Sequence, residues 1–143
     1  MQSQPLVPCE VIAHAGVTYA EVIRADARVT ETRFFSPAES SFQFGLLAHE
    51  AGFEEPPHYH APFRREIADL QQMFVMQRGA MVIELFTDEG VKFREVELRA
   101  GDAIVLIHGV HGLRVLEDFQ AISVKQGPFL GTEKDKIFVE TKK

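Results

Sequence analysis

Residues 73–98 read MFVMQRGAMVIELFTDEGVKFREVEL, and this stretch is the strongest indication of the fold. It contains two short apolar runs, Met73 to Gln77 and Met81 to Phe86, of the length typical of buried strands. The second run ends at Thr87-Asp88-Glu89-Gly90, a sequence typical of a hairpin turn, and Val91 to Leu98 then returns with alternating apolar residues. The stretch therefore predicts successive antiparallel strands.

The rest of the chain repeats this pattern of short apolar runs separated by glycine and proline. The other predicted strands are Gly16–Ile23, Ser41–His49, Ala103–Ile107, Leu113–Leu116 and Gln120–Gln126. Pro62–Gln72 is predicted to be a helix or a structured loop, and the tail from Gly131 a terminal strand or a mobile end. Short strands at this spacing favour an all-β sandwich or barrel.

Length and composition fit an ordinary globular protein. The chain has 143 residues, so we expect a single domain over residues 1–143. The formal net charge of −6 argues against nucleic acid or an anionic membrane as the main partner. Cys9 is the only cysteine, so an intrachain disulfide is impossible. The first five residues lack the features of a signal peptide, and no apolar run approaches a membrane span, so we expect a soluble cytoplasmic protein.

Two of the six histidines stand out, in the sequence His58-Tyr59-His60. The preceding Pro56 and Pro57 favour an extended backbone. Residues two apart in an extended chain point to the same side, with Cα atoms about 6.6 Å apart. Imidazoles at that separation can bind one cation through nitrogens about 2.0–2.1 Å from it. The pair is therefore a candidate for metal binding.

A wider set of residues surrounds this pair. Its positions are Gly52, His58, His60, Gln72 and Gly79, followed by Gly101, Gly109 and His111. The set resembles the two motifs of the cupin superfamily, G-x5-H-x-H-x3,4-E-x6-G and G-x5-P-x-G-x2-H-x3-N. The later segments Gly109–Gly112, Val124–Phe129 and Asp135-Lys136 are similar to a branch of small single-domain cupins that includes the WbuC-like proteins. The resemblance implies a double-stranded β-helix, the cupin jelly-roll barrel.

The resemblance also implies a metal site formed by His58, His60, Gln72 and His111. The chain departs from the motifs in three places: Gln72 replaces the glutamate after an insertion, Ile107 replaces the proline, and His111 comes one residue early. Gln72 would contribute a neutral amide oxygen, so a bound divalent ion would keep more positive charge and attract anionic ligands. Zinc, iron, nickel, manganese and copper all suit such donors.

Several single residues have alternative interpretations. Glu66 could replace Gln72 as the fourth ligand, and sites with three histidines or no metal also stay open. Glu66 and His49 are candidate general bases. His108 is the alternative to His111.

We therefore expect a metal-binding cupin that acts on, or binds, a small anionic or sugar-like molecule. Isomerase and dioxygenase chemistry are both common in cupins, and the WbuC-like branch is linked to bacterial surface polysaccharide genes. The alternatives are a non-catalytic metallocupin that senses a ligand, and a metal-free cupin of the sugar-isomerase type. Lys125 is either a solvated strand residue or a ligand-binding one, because its neighbours recur in the resembled branch. We also expect a homodimer, formed through Val17–Ile23 or Ile137–Val139.

Overall fold

The structure, a computed structural model, describes residues 7–142. The chain divides into two compact units. The larger unit contains the described residues up to Ala27 and from Leu70 onward, and the smaller unit is Arg28–Asp69. The expectation of one domain over residues 1–143 stays a prediction.

Nearly all the regular structure in the described part of the chain is β. The strands are β1 (Glu10–His14), β2 (Val17–Ile23), β3 (Arg33–Phe34), β4 (Gly45–Leu46), β5 (Gln72–Phe86), β6 (Lys92–Arg99), β7 (Ala103–Leu106) and β8 (Val110–Lys125), and the one short helix is α1 (Thr132–Asp135). The smaller unit holds only the β3–β4 pair, and the larger unit holds the other elements. The predicted all-β class is confirmed.

The strands of the larger unit form one antiparallel sheet in the order β1-β2-β7-β5-β6, with β8 paired to β5. The first part of β5 lies between β7 and β8, and its last part lies between β6 and β8. The sequence predicted two strands within β5 and two within β8, whereas each is one long strand. The register between them shifts between Met76 and Met81, and bulges of this kind bend and twist a sheet. The sheet consequently curls into a half-barrel.

The hairpin predicted at Thr87–Gly90 is present between β5 and β6. The amide of Thr87 donates to the carbonyl of Val91 at 2.8 Å, and the amide of Gly90 donates to the carbonyl of Thr87 at 2.9 Å. Gly90 has a φ of 83°, a left-handed value that glycine adopts at no steric cost. The turn chemistry read from the sequence therefore sets the register of this hairpin.

The hydrophobic core is built from most strands of the curled sheet. Its buried members are Ile12, Tyr19, Ala20, Val22, Met76, Met81, Ile83, Leu85, Val96, Leu98, Ile104 and Leu106. These residues come from β1, β2, β5, β6 and β7, and none comes from β8. Strand β8 instead leaves apolar side chains exposed, among them Leu113, Val115 and Ile122.

One predicted segment differs from the structure, and another adopts one of its two predicted alternatives. Within Ser41–His49 only Gly45–Leu46 forms a strand. The Gln43 amide nitrogen donates to the carbonyls of Pro37, Ala38 and Ser40, and these hydrogen bonds hold the start of the segment against the residues before it. Residues 62–71 form a loop, one of the two alternatives for that segment. Strand β1 was not predicted, since only Ile12 of its five residues is buried.

Candidate functional site

The His58–His60 pair lies in a part of the smaller unit without regular secondary structure, and both residues are exposed. Their ring centroids are 5.4 Å apart and the ring planes are inclined by 68°. The two imidazoles are therefore neighbours, as expected for alternate residues in an extended segment. A cation can be shared by rings at this separation.

Hydrogen bonding fixes the tautomer of His58. Its Nδ1 lies 2.9 Å from the carbonyl oxygen of Pro56, and because a carbonyl can only accept, Nδ1 must carry the proton. In the neutral ring the lone pair is then on Nε2. A backbone carbonyl is a common partner for the second nitrogen of metal-binding histidines. The carboxylate of Glu55 lies 3.7 Å from Nε2, so this nitrogen faces a negative group.

The two candidate bases also lie in the smaller unit. Glu66 is exposed in the loop that follows the histidine pair. His49 stacks on Phe53 with ring centroids 3.9 Å apart, and its Nε2 lies 3.4 Å from the hydroxyl of Thr32. His49 is thus held by local contacts within its own unit.

Gln72 begins strand β5 in the larger unit. It is aligned with Leu106 of β7 on one side and with Lys125 of β8 on the other. Its amide nitrogen donates to the hydroxyl of Ser123 at 3.0 Å. Because this bond uses the nitrogen, the amide oxygen is left to accept a hydrogen bond or to bind a cation.

His111 lies near the start of β8, aligned with the buried Leu85 of β5. His111 is exposed at the surface, but the protein around its ring partly desolvates it, and this lowers the pKa of His111 below its ordinary value. A hydrogen bond with the backbone of Gly109 opposes the shift, and the charge of Lys136 adds to it. The ring is therefore neutral at neutral pH, the form that binds metals.

A cavity of about 300 Å³ adjoins His111. Glu84 supplies a carboxylate to its wall, and the tail residues Ile137, Phe138 and Val139 form another side. The Glu84 carboxylate is balanced by Lys92 at 3.2 Å and by Arg114 at 3.8 Å. The cavity thus combines an imidazole, a paired carboxylate and apolar walls.

Charged residues of the tail interact with residues near both ends of β8. The carboxylate of Asp135 lies 3.1 Å from the ammonium of Lys125 at the end of β8. The next residue, Lys136, is close enough to His111, near the start of β8, to shift its pKa. Gln72 is aligned with Lys125 near the start of β5, whereas His111 is aligned with Leu85 near its end, so the strand pairing places the two candidate ligands of the larger unit at opposite ends of the β5–β8 ladder.

The remaining histidines make aromatic contacts. His14 stacks on Phe93 with ring centroids 4.5 Å apart. His108 packs edge-on against Tyr19 at 5.1 Å. The sequence named Asp135 only as part of the resemblance and did not predict its ion pair with Lys125, because nothing in the local sequence links the two residues.

Within residues 7–142, no three His, Cys, Asp or Glu side chains are arranged so that they could hold a metal ion. His58 and His60 belong to the smaller unit, whereas Gln72 and His111 belong to the larger one. The set of four ligands therefore stays a prediction.

Comparisons with protein-family models, with curated proteins and with solved structures give no match for this chain. Among the described residues, no helix has both the length and the apolar character needed to span a membrane.

We expect the shielding of His111 to make the metal-free protein sensitive to acid. The pKa of His111 is lower in the folded chain than the value of about 6.5 in an unfolded one, so the unfolded state takes up a proton more readily. Stability present above about pH 6.5 is therefore lost as the pH falls toward the folded-state pKa. Urea unfolding in EDTA at about pH 7.5 and 5.5 should show a larger loss for the wild type than for His111→Gln. An equal loss in both proteins would contradict this assignment.

Proposed function

We propose that the protein is a metal-binding cupin that binds or transforms a small anionic or sugar-like molecule. The proposed metal ligands are His58, His60, Gln72 and His111. The observation that carries the proposal is the His58–His60 pair, whose rings are 5.4 Å apart and whose first member has its proton fixed on Nδ1. This arrangement leaves a lone pair on Nε2 of His58 for a cation.

The donors of the larger unit support the same proposal. The lowered pKa of His111 keeps its imidazole neutral, and the hydrogen bond of Gln72 leaves its amide oxygen available. Neutral imidazoles with one oxygen donor suit zinc and the neighbouring transition metals. A divalent ion held by them would supply a Lewis acid with open coordination positions.

The strand order supports a jelly roll. Each of the two long strands contributes to two parts of the sheet: one part has the order β8-β5-β7-β2, and the other has the order β8-β5-β6. The bend between the parts falls at the bulges between Met76 and Met81. Long strands that bend from one part of a sheet into another are a feature that a double-stranded β-helix also needs.

The charges of the larger unit favour an anionic ligand. Lys125 is aligned with Gln72, and the proposed ligand set brings no carboxylate to offset a divalent cation. A ligand with negative charge would therefore be stabilised in this region. The polar groups of the ligand would also meet the amide and hydroxyl of Gln72 and Ser123.

Metal analysis tests the proposal. We expect protein purified without a histidine tag and supplied with Zn²⁺ to retain about one ion per chain after gel filtration. The double variant His58→Ala/His60→Ala should lose most of this metal, because two of four ligands are removed. The matched control, His14→Ala/His49→Ala, also lacks two imidazoles and should keep it. Equal metal content in the two double variants, with both folded by circular dichroism, would exclude the proposed ligands.

Catalysis and simple binding are separated in a second step. Oxygen uptake and sugar-nucleotide turnover by the metal-loaded wild type should depend on His58 and His60 if the protein is an enzyme. Ligand binding without turnover would identify the protein as a metallocupin that senses its ligand.

A further inference from the structure

Lys125 is held in a setting unlike that of a solvated strand lysine. Its ammonium lies 3.1 Å from the Asp135 carboxylate and 4.6 Å from the centroid of the Phe129 ring. The side chains of Lys125 and Asp135 are only 30% and 15% exposed. An ammonium positioned over an aromatic face and beside a carboxylate is oriented to bind a negative group.

Two neighbouring side chains add polar groups on the same face of the sheet. Ser123 lies two residues before Lys125, and Gln72 is aligned with Lys125 on the adjacent strand. The Ser123 hydroxyl accepts a hydrogen bond from the Gln72 amide nitrogen, so its own proton is left to donate. An ammonium and a hydroxyl therefore point to the same region, a common arrangement for carboxylate recognition.

The carboxylate bound to Lys125 belongs to a tail in which two apolar side chains are largely exposed. Ile137 and Phe138, which follow Asp135, are 92% and 86% exposed, so they contribute little apolar burial. The tail is attached again at Lys142, whose amide donates to the carbonyl of Gly90 at 2.9 Å. A segment anchored in this way can move at low free-energy cost.

We propose that Lys125, with Ser123, forms a binding site for the carboxylate of a small ligand, and that Asp135 occupies this site when the ligand is absent. The segment from α1 to Val139 is then a lid that the ligand displaces. The inference deepens the proposed function, on which it rests for the existence of a small ligand, by naming the carboxylate class. The site itself requires no metal.

An NMR titration of the full-length protein with malonate tests the inference. Malonate carries the carboxylate that Asp135 imitates, and malonamide is its neutral counterpart. Asp135→Asn removes the internal competitor, so we expect malonate to bind about three- to tenfold more tightly than to the wild type. Lys125→Gln should bind malonate at least tenfold more weakly than the wild type does. Malonamide should not bind to the wild type or to either variant.

Glu133→Gln is the matched control, because it removes an exposed carboxylate from the same short helix. Its affinity for malonate should equal that of the wild type. In the wild type, saturating malonate should also speed amide exchange across residues 132–138, as expected if the lid opens. Unchanged affinity in Asp135→Asn, or full binding in Lys125→Gln, would overturn the inference. Because these titrations are run without added metal, failure here leaves the metal analysis unaffected, and the reverse also holds.

Discussion

Replacement of Asp102 by alanine is expected to lower the free energy of unfolding by about 2–4 kcal/mol. The carboxylate is buried and accepts hydrogen bonds from the backbone amides of Ala25 and Arg99, each at 2.9 Å. The guanidinium of Arg24 lies 3.1 Å from it. Because the Arg24 side chain is 41% exposed, the ion pair adds little, and most of the loss comes from the two backbone amides.

The position of Asp102 explains why one carboxylate matters so much. Its own backbone carbonyl accepts from the amide of Met76 at 2.8 Å, and the amide of Gly101 donates to the carbonyl of Met76 at 2.7 Å. Arg24 also donates to the carbonyl of Glu97 at 2.7 Å. The loop that carries Asp102 thus connects the end of β2, the end of β6 and the middle of β5 at one point.

Two further variants make this prediction specific. Asp102→Asn keeps one acceptor oxygen but loses the charge and the second acceptor, so its loss of stability should be about half that of Asp102→Ala. Asp26→Ala removes an exposed aspartate close to the same loop and should change stability by less than about 0.5 kcal/mol. Urea unfolding followed by circular dichroism measures all three. A loss for Asp102→Ala no larger than that for Asp26→Ala would show that the carboxylate is not a structural link.

Local sequence predicted the strands well wherever one side of a strand is buried. In β6, Val96 and Leu98 are buried while Glu95 and Glu97 are exposed, and this alternation is visible in the sequence. It could not show that β5 and β8 are each continuous through their bulges. The continuity of each strand depends on the pairing of β5 with β8, which is a contact between distant parts of the chain. Strand β1 was missed for a related reason, since its pairing with β2 needs few buried residues.

For the candidate site, the sequence could predict neighbours but not distant partners. The closeness of His58 and His60 follows from backbone geometry alone and is confirmed. The link between Lys125 and Asp135 spans a loop whose path the sequence does not reveal. The lowered pKa of His111 depends on the protein that surrounds its ring, and a single sequence cannot show which residues those are. The assembly of all four proposed ligands likewise depends on tertiary structure and remains to be tested by metal analysis.

Replacement of Gly79 by alanine is expected to lower the free energy of unfolding by about 2–5 kcal/mol. Gly79 lies at the bulge of β5 with a φ of 77°, a left-handed conformation that costs alanine about 1–2 kcal/mol. A Cβ atom there would also lie 2.7 Å from the backbone carbon of Asp118 and 2.7 Å from the Cα of Phe119. Both contacts are with the backbone of β8, which cannot move without disturbing its pairing with β5.

Gly16→Ala separates the two contributions, because Gly16 has the same φ of 77° but a Cβ atom there would meet nothing within 4 Å. It should cost only the conformational part, about 1–2 kcal/mol. The difference between the two variants in urea unfolding therefore measures how closely β5 and β8 approach each other at the bulge. If the two losses are equal, the close approach is absent. The bend of β5 at the bulge would then need another cause.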